Sequence, residues 1–295
     1  MNFGRLSTAM VTPFDEHGDI DYTALTKLIN HLISTGTESI VVAGTTGESP
    51  TLSHEEKISL FRHTVQTVNG RVPVIAGTGS NDTRASLALS LEAEKTGIDA
   101  VMLVTPYYNK PSQEGMYQHF RTIAEGINTP VMLYNIPGRS AAGMTPETIV
   151  RLSHVKNICS IKEASGDLEA AAYILQHAPQ DFTLYSGDDS LTLPLLSVGA
   201  TGVVSVSAHV AGESMQDMIQ SFFNGQPVYA ASRHRDLLPL MKSMFAAPSP
   251  TPVKAALEMR GIISGDVRLP MVRLNAEEEA QLRQVVAPAA SFYVG

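Results

Sequence analysis

From Leu6 to about Gly225, short runs of β-branched or apolar residues alternate with longer segments in which apolar positions return every three or four residues. That alternation is the pattern of repeated βα units. Eight short runs predict strands: Ser7 to Thr12, Ser39 to Val42, Val74 to Ala76, Ala100 to Val104, Val131 to Tyr134, Ile158 to Ile161, Phe182 to Ser186 and Gly202 to Ser205. Between them lie amphipathic stretches such as Tyr22, Leu25, Leu28, Ile29, Leu32 and Ile33, which share one helical stripe. Gly36, Gly70, Gly97, Gly126 and Gly225 each close a helical stretch, where a left-handed terminating residue costs least as glycine. Eight units predict a closed (β/α)8 TIM barrel. An open doubly wound sheet leaves the eighth strand without a place, and no GxGxxG follows the first strand.

Beyond Gly225 the strand signals stop and three helices are predicted, Val228 to Ala247, Pro252 to Ile262 and Ala276 to Val286. Pro239 should kink or divide the first of them, because it removes a donor and clashes with the preceding turn. The stretch from Pro248 to Pro252 reads as a stiff connection. The expected organisation is a barrel over residues 1–225 followed by a C-terminal helical domain over residues 226–295.

Composition narrows the class. With 295 residues, 43% hydrophobic and 17% charged, the chain can bury one large core and a small appendage. A net charge of −8 without a basic run excludes the electrostatic footprint of a nucleic-acid or anionic-membrane binder. Small molecules and further copies of the chain are the expected partners. Met1 to Ser7 has no basic start or continuous apolar stretch, and no later segment reaches membrane-spanning length, so the expected location is the cytoplasm. Cys159 is the single cysteine and the nine histidines form no HxH or HExxH pattern, so no metal is expected.

Barrel chemistry gathers at the C-terminal ends of strands and in the loops that follow them. The sixth strand ends on Lys162, and a two-residue period would place Ile158, Ser160 and Lys162 on one face with Cys159 opposite as a buried apolar thiol. An amine at the barrel mouth is partly desolvated, which disfavours its charged form and leaves a fraction free to attack a ketone. The ordinary alternative is a surface lysine paired with Glu163. The fifth strand delivers Tyr134, whose hydroxyl can both donate and accept a proton, or simply pack as a core aromatic. Arg139 follows in a Pro-Gly turn, suited to bidentate capture of a carboxylate or to plain solvation.

The second strand runs into Gly44, Thr45, Thr46, Gly47 and Glu48, and Ser53 with Glu56 has the spacing of a capping box for the next helix. Flanking glycines let such a turn aim amides and hydroxyls at one anion. Tyr107 and Tyr108 follow the fourth strand; one could serve the site while the other packs on another subunit. Gly187 could line the pocket, and Asp188 and Asp189 read as a helix cap.

GTTGES at Gly44 to Ser49, YNIPGR at Tyr134 to Arg139, and the Ile158 to Glu163 stretch bearing Lys162 together resemble the dihydrodipicolinate synthase and N-acetylneuraminate lyase family of pyruvate aldolases, along essentially the whole chain. The resemblance implies a barrel with a short helical domain. It implies that Lys162 forms a Schiff base with pyruvate while Thr45 and Thr46 hold the carboxylate. Tyr134 would shuttle protons in a relay with Thr45 and Tyr108, the latter reaching in from a neighbouring subunit. Gly187 and Val204 would complete the substrate pocket. The covalent imine is the only electron sink required, so no metal or other cofactor is implied.

The second threonine, Tyr108 and Arg139 are most similar to the dihydrodipicolinate synthase branch, whose acceptor is L-aspartate 4-semialdehyde, with its carboxylate met by Arg139. The product would be 4-hydroxy-tetrahydrodipicolinate, on the route to diaminopimelate and lysine. The nearest alternative is a lyase of sialic acid or of a 2-keto-3-deoxy sugar acid. A remoter one is a barrel that binds a keto acid without chemistry. A dimer of dimers is implied. So is a lysine-binding cleft, where Ser49, His54, Asn81 and Tyr107 are retained while Pro50, Lys57 and Ala85 replace the usual alanine, histidine and glutamate; insensitivity to lysine is expected. Lys254, in the helical appendage, is expected at the surface.

Overall fold

The computed structural model of the chain describes residues 3–289. The first two residues, read above for targeting, and the last six, part of the expected helical domain, lie outside them. Eight parallel strands close into a barrel in sequence order, β1 Leu6–Ala9, β2 Ser39–Val42, β3 Val74–Gly77, β4 Ala100–Val104, β5 Val131–Asn135, β6 Ile158–Glu163, β7 Thr183–Ser186 and β8 Gly202–Ser205. Closure is made by β8 against β1, with Leu6 opposite Val203 and Ser7 opposite Val204. The expected strands are therefore all present.

Alternation along each strand divides the apolar residues into two cores. Leu6, Ile40, Val42, Leu133 and Ile161 face outward and pack beneath the helices. Ala9, Val41, Ile75, Met102, Met132 and Val204 face inward and fill the barrel. The helices on the outside are α1 Tyr22–Ser34, α2 His54–Val68, α3 Thr83–Glu94, α4 Gln113–Glu125, α5 Pro137–Ser140, α6 Pro146–Ser153, α7 Leu168–His177, α8 Thr192–Ser197 and α9 Ala208–Phe223. α10 Pro227–Ser243, α11 Thr251–Met259 and α12 Ala276–Ala289 follow without another strand among the described residues. α2 opens on the expected capping box, Ser53 with Glu56.

Four local expectations need correction. First, β1 ends at Ala9 instead of Thr12. Beyond it the chain turns to other partners: the Val11 amide donates to His209 Nε2 at 3.1 Å, and the Thr12 hydroxyl to the Gly47 carbonyl at 2.7 Å. His209 is fully buried, and burial lowers its pKa to about 4, so the neutral ring accepts at Nε2 while Nδ1 meets the Val206 carbonyl at 2.8 Å. Second, β6 carries a bulge. Val131 pairs with Ile158 but Met132 pairs with Ser160, so Cys159 is the extra residue. Ile158 therefore joins the outer core, and half-buried Cys159 packs on the inner one, the same side as Lys162. Third, Gly36, Gly70, Gly97 and Gly225 have positive φ as expected, but Gly126 has φ −84°. Its role is contact: a Cβ there would stand 2.6 Å from Leu87 Cδ1 of α3. Fourth, α10 continues through Pro239 as one element and is not divided.

No helix among the described residues is long and apolar enough to cross a membrane. Nor do three or more His, Cys, Asp or Glu side chains gather there in a way that could hold a metal ion.

Candidate active site

Two neighbouring strands place the central pair. Tyr134 of β5 lies opposite Lys162 of β6, which lies opposite Tyr185 of β7, all at one level of the barrel. The bulge at Cys159 brings Lys162 into that level on the inward side. Tyr134 is 3% and Lys162 5% exposed, and the lysine Nζ sits 4.1 Å from the centroid of the tyrosine ring. Among the described residues no carboxylate lies within ion-pair distance of Lys162.

Glu163 is the obvious partner by sequence, but it points the other way. Its Oε2 accepts from Asn135 Nδ2 at 3.0 Å and its Oε1 from the Ser165 amide at 2.6 Å. Burial raises its pKa, against those hydrogen bonds. The alternative of a surface Lys162–Glu163 pair is thereby removed.

Gly187 borders the lysine. A Cβ at this position would fall 2.6 Å from Ala164 Cβ and 3.2 Å from Lys162 Cε, so any side chain would press on the amine's stem. Val204 is 1% exposed and belongs to the inner core that also holds Tyr134.

Above the pair opens a cleft of about 270 Å³, lined by Thr45, Ser49, Lys57, Tyr107, Tyr134 and Arg139 among others. Thr45 is exposed and Thr46 buried, on a turn in which the Gly44 carbonyl accepts from the Gly47 and Ser49 amides. Arg139 is exposed on α5, the short turn of helix directly after β5. The structure thus brings Thr45, Tyr134 and Arg139 to one cleft, with Lys162 and Gly187 beside Tyr134. Tyr108 is not gathered in: it is 88% exposed, in a left-handed conformation at φ 71° that costs a residue with a side chain about 1 kcal/mol.

A family model for the dihydrodipicolinate synthetase family matches residues 2–289. The chain belongs to that family. It is 60% identical over 288 residues to the 4-hydroxy-tetrahydrodipicolinate synthase of Bacillus subtilis (strain 168), covering 97% of this chain and 99% of the relative. Among solved structures it is similar to a dihydrodipicolinate synthase from Bacillus anthracis, with TM-score 0.96 and 55% identity over 97% of this chain and 98% of that one. A dihydrodipicolinate synthase from Cyanidioschyzon merolae, solved with lysine bound, matches with TM-score 0.96 and 46% identity over 98% of each chain. At these identities the family's barrel and the one described above are the same fold, and the chain is a lyase of this family.

Sequence reasoning missed one charged group altogether. Lys254 is not at the surface: it is fully buried, 2.6 Å from Glu48 of the GTTGES turn. Its position in α11 among Val253, Ala256 and Leu257, all buried, was the available signal.

Proposed function

We propose that the chain condenses pyruvate with L-aspartate 4-semialdehyde to give 4-hydroxy-tetrahydrodipicolinate. The observation that carries this reading is the buried, carboxylate-free amine of Lys162 over the ring of Tyr134, a tyrosine that lines a cleft together with Thr45 and Arg139. Lys162 Nζ attacks the keto carbon of pyruvate, and loss of water leaves a protonated imine. Thr45 and Thr46 hold the pyruvate carboxylate. The imine accepts the electron pair released when a methyl proton departs, and the resulting enamine carbon attacks the aldehyde carbon. The acceptor's own amine then adds to the imine carbon, closing the ring and releasing Lys162.

Tyr134 moves the protons of imine formation and release, in a relay with Thr45 and with Tyr108 of a neighbouring subunit. Arg139 meets the acceptor's carboxylate as a bidentate donor. Gly187 and Val204 shape the pocket around the imine. The active form is at least a dimer, since exposed Tyr108 needs a second copy to reach a site, and the family resemblance extends it to a dimer of dimers. The covalent imine is the electron sink, so the reaction runs without metal or added cofactor. The enzyme works in the cytoplasm. Of the described residues, 3–225 make up the catalytic barrel and 226–289 the helical domain.

Borohydride reduction with pyruvate, followed by mass spectrometry of the labelled peptide, tests the nucleophile. Product formation from aspartate semialdehyde against sugar-derived aldehydes tests the acceptor. Preference for a sugar-derived aldehyde would transfer the chain to the lyase side of the family.

A further inference from the structure

Glu48 and Lys254 form a buried ion pair that the condensation chemistry does not use. Lys254 Nζ lies 2.6 Å from Glu48 Oε1, donates to the Asp266 carbonyl at 2.7 Å, and stands 4.1 Å from the centroid of the Phe14 ring. Burial lowers the Lys254 pKa to about 8, against the opposing pull of Glu48. The other oxygen of Glu48 accepts from the Arg268 amide at 3.0 Å. The Arg268 guanidinium in turn reaches the carbonyls of Gly18 and Thr51 and pairs with Glu56 of the α2 capping box. Lys254 and Arg268, both beyond the barrel, thus grip the loop after β2.

Stability alone is a weak reason for such an arrangement, because a buried ion pair is often no better than well-packed apolar side chains of the same volume. Conformation is a stronger one. Glu48 has φ 56° and ψ 36°, a left-handed state that a residue with a side chain keeps only when its surroundings fix it. Its amide donates to the Thr45 carbonyl at 3.1 Å, so a rotation at Glu48 is transmitted to Thr45. On the far side, Gly47 is tied to the barrel by the Thr12 hydroxyl at 2.7 Å. The threonine turn is therefore held between β1's extension and α11.

We infer that Glu48 and Lys254 are positioning residues: the helical segment beyond the barrel, through Lys254, fixes the left-handed turn at Glu48 and with it the orientation of Thr45 and Thr46 toward the keto acid. Neither residue touches substrate. The inference rests on the reading that these threonines hold the pyruvate carboxylate.

The test uses the full chain with Lys254→Met, Glu48→Gln and the double substitution, reading kcat, both KM values and the thermal midpoint. Each single change should raise KM for pyruvate about 10-fold or more and leave KM for the aldehyde within about twofold, because misplacement is confined to the carboxylate subsite. Lys162 should still be trapped by borohydride at saturating pyruvate. The double substitution removes both buried charges, so it should recover the thermal midpoint without recovering KM for pyruvate. Recovery of both together would reduce the pair to a structural role and overturn the inference, as would a wild-type KM in any folded variant.

If the single variants do not fold, Glu48→Asp keeps both charges and shortens the reach by one methylene. A raised pyruvate KM at a native midpoint then supports the inference, and an unchanged KM overturns it. Thr45→Val is the control. If it leaves pyruvate KM unaltered, the threonine reading fails and takes the inference with it. If it raises KM while Glu48 and Lys254 variants do not, the positioning role alone is lost.

Discussion

The half of the site carried by strands and the half carried by loops are held in place by different means. Tyr134 and Lys162 sit opposite each other on adjacent strands, 3% and 5% exposed, pinned by the inner core on one side and the outer core on the other. Thr45, Tyr108 and Arg139 stand on the turns that follow β2, β4 and β5, and all three are exposed. For the strand pair, one chain supplies everything that fixes the geometry. For the loop residues, the fixing contacts come from further away: the Arg268 and Lys254 grip behind Thr45, and a second subunit in the proposed role of Tyr108. Defects in the first half should abolish chemistry, and defects in the second should weaken it in ways that depend on context.

The largest effect tests the strand pair. Lys162→Ala should abolish both turnover and the reduced pyruvate adduct: Lys57 also lines the cleft, but only Lys162 stands beside Tyr134. Lys254 is the informative competitor, because burial lowers its pKa to about 8. That leaves it a larger neutral fraction than a solvated lysine has. It is nevertheless fully buried and ion-paired, so pyruvate cannot approach it. An adduct on Lys254 by peptide mass spectrometry would break the comparison, because it would move the chemistry out of the barrel.

Tyr134→Phe comes next. It deletes one hydroxyl from a residue whose ring is packed in the inner core, so the fold should persist with an unchanged circular dichroism spectrum. Turnover should fall about 10²–10⁴-fold, the usual worth of a positioned proton shuttle. An unaltered kcat would leave Tyr134 as packing and nothing more.

A smaller and conditional effect sharpens the loop half. Tyr108→Phe subunits, weakened alone, and Lys162→Ala subunits, inactive alone, should gain activity when allowed to exchange, because a mixed dimer contains one intact site. Random mixing gives about a quarter of the wild-type sites. No recovery after exchange has been demonstrated would remove Tyr108 from the partner's relay, and its exposure and left-handed backbone would then need another cause.

Much of this was legible in the residues, and the failures have physical reasons. Short β-branched or apolar runs located all eight strands, and glycine and capping signals located most helix ends, because those signals are local. The β6 bulge was not legible: a single inserted residue reverses which side chains face inward, and nothing in Ile158, Cys159 and Ser160 announces it. Lys162 kept its inward place only because the two-residue period is intact from Ser160 onward. Lys254 was misplaced because its partner lies 206 residues away in sequence, and a lysine beside a proline-rich connection reads as solvated until the fold brings Glu48 to it.

The smallest expected effect is an absence of effect. The solved relative from Cyanidioschyzon merolae carries bound lysine. Of the positions that the resemblance assigned to a lysine cleft, Ser49, Pro50, Lys57 and Tyr107 line the cavity above Tyr134 in this chain. Lys57 is half-buried, and burial lowers its pKa, which marks a cation held where water screens it poorly. A dicationic amino acid entering there meets a like charge. Ala85 supplies no carboxylate to offset it. Glu92 is already bound to His54 at 2.9 Å. Asn81 is likewise occupied, donating to the Tyr107 carbonyl at 3.1 Å. His54 and Asn81 therefore serve contacts of their own, and initial rates should stay unchanged as lysine is raised well beyond physiological concentration. Inhibition that appears only in Lys57→His would sharpen the argument by naming the charge that prevents it. Strong inhibition of the unaltered enzyme would show that the exposed half of the molecule binds by rules that this charge pattern does not capture.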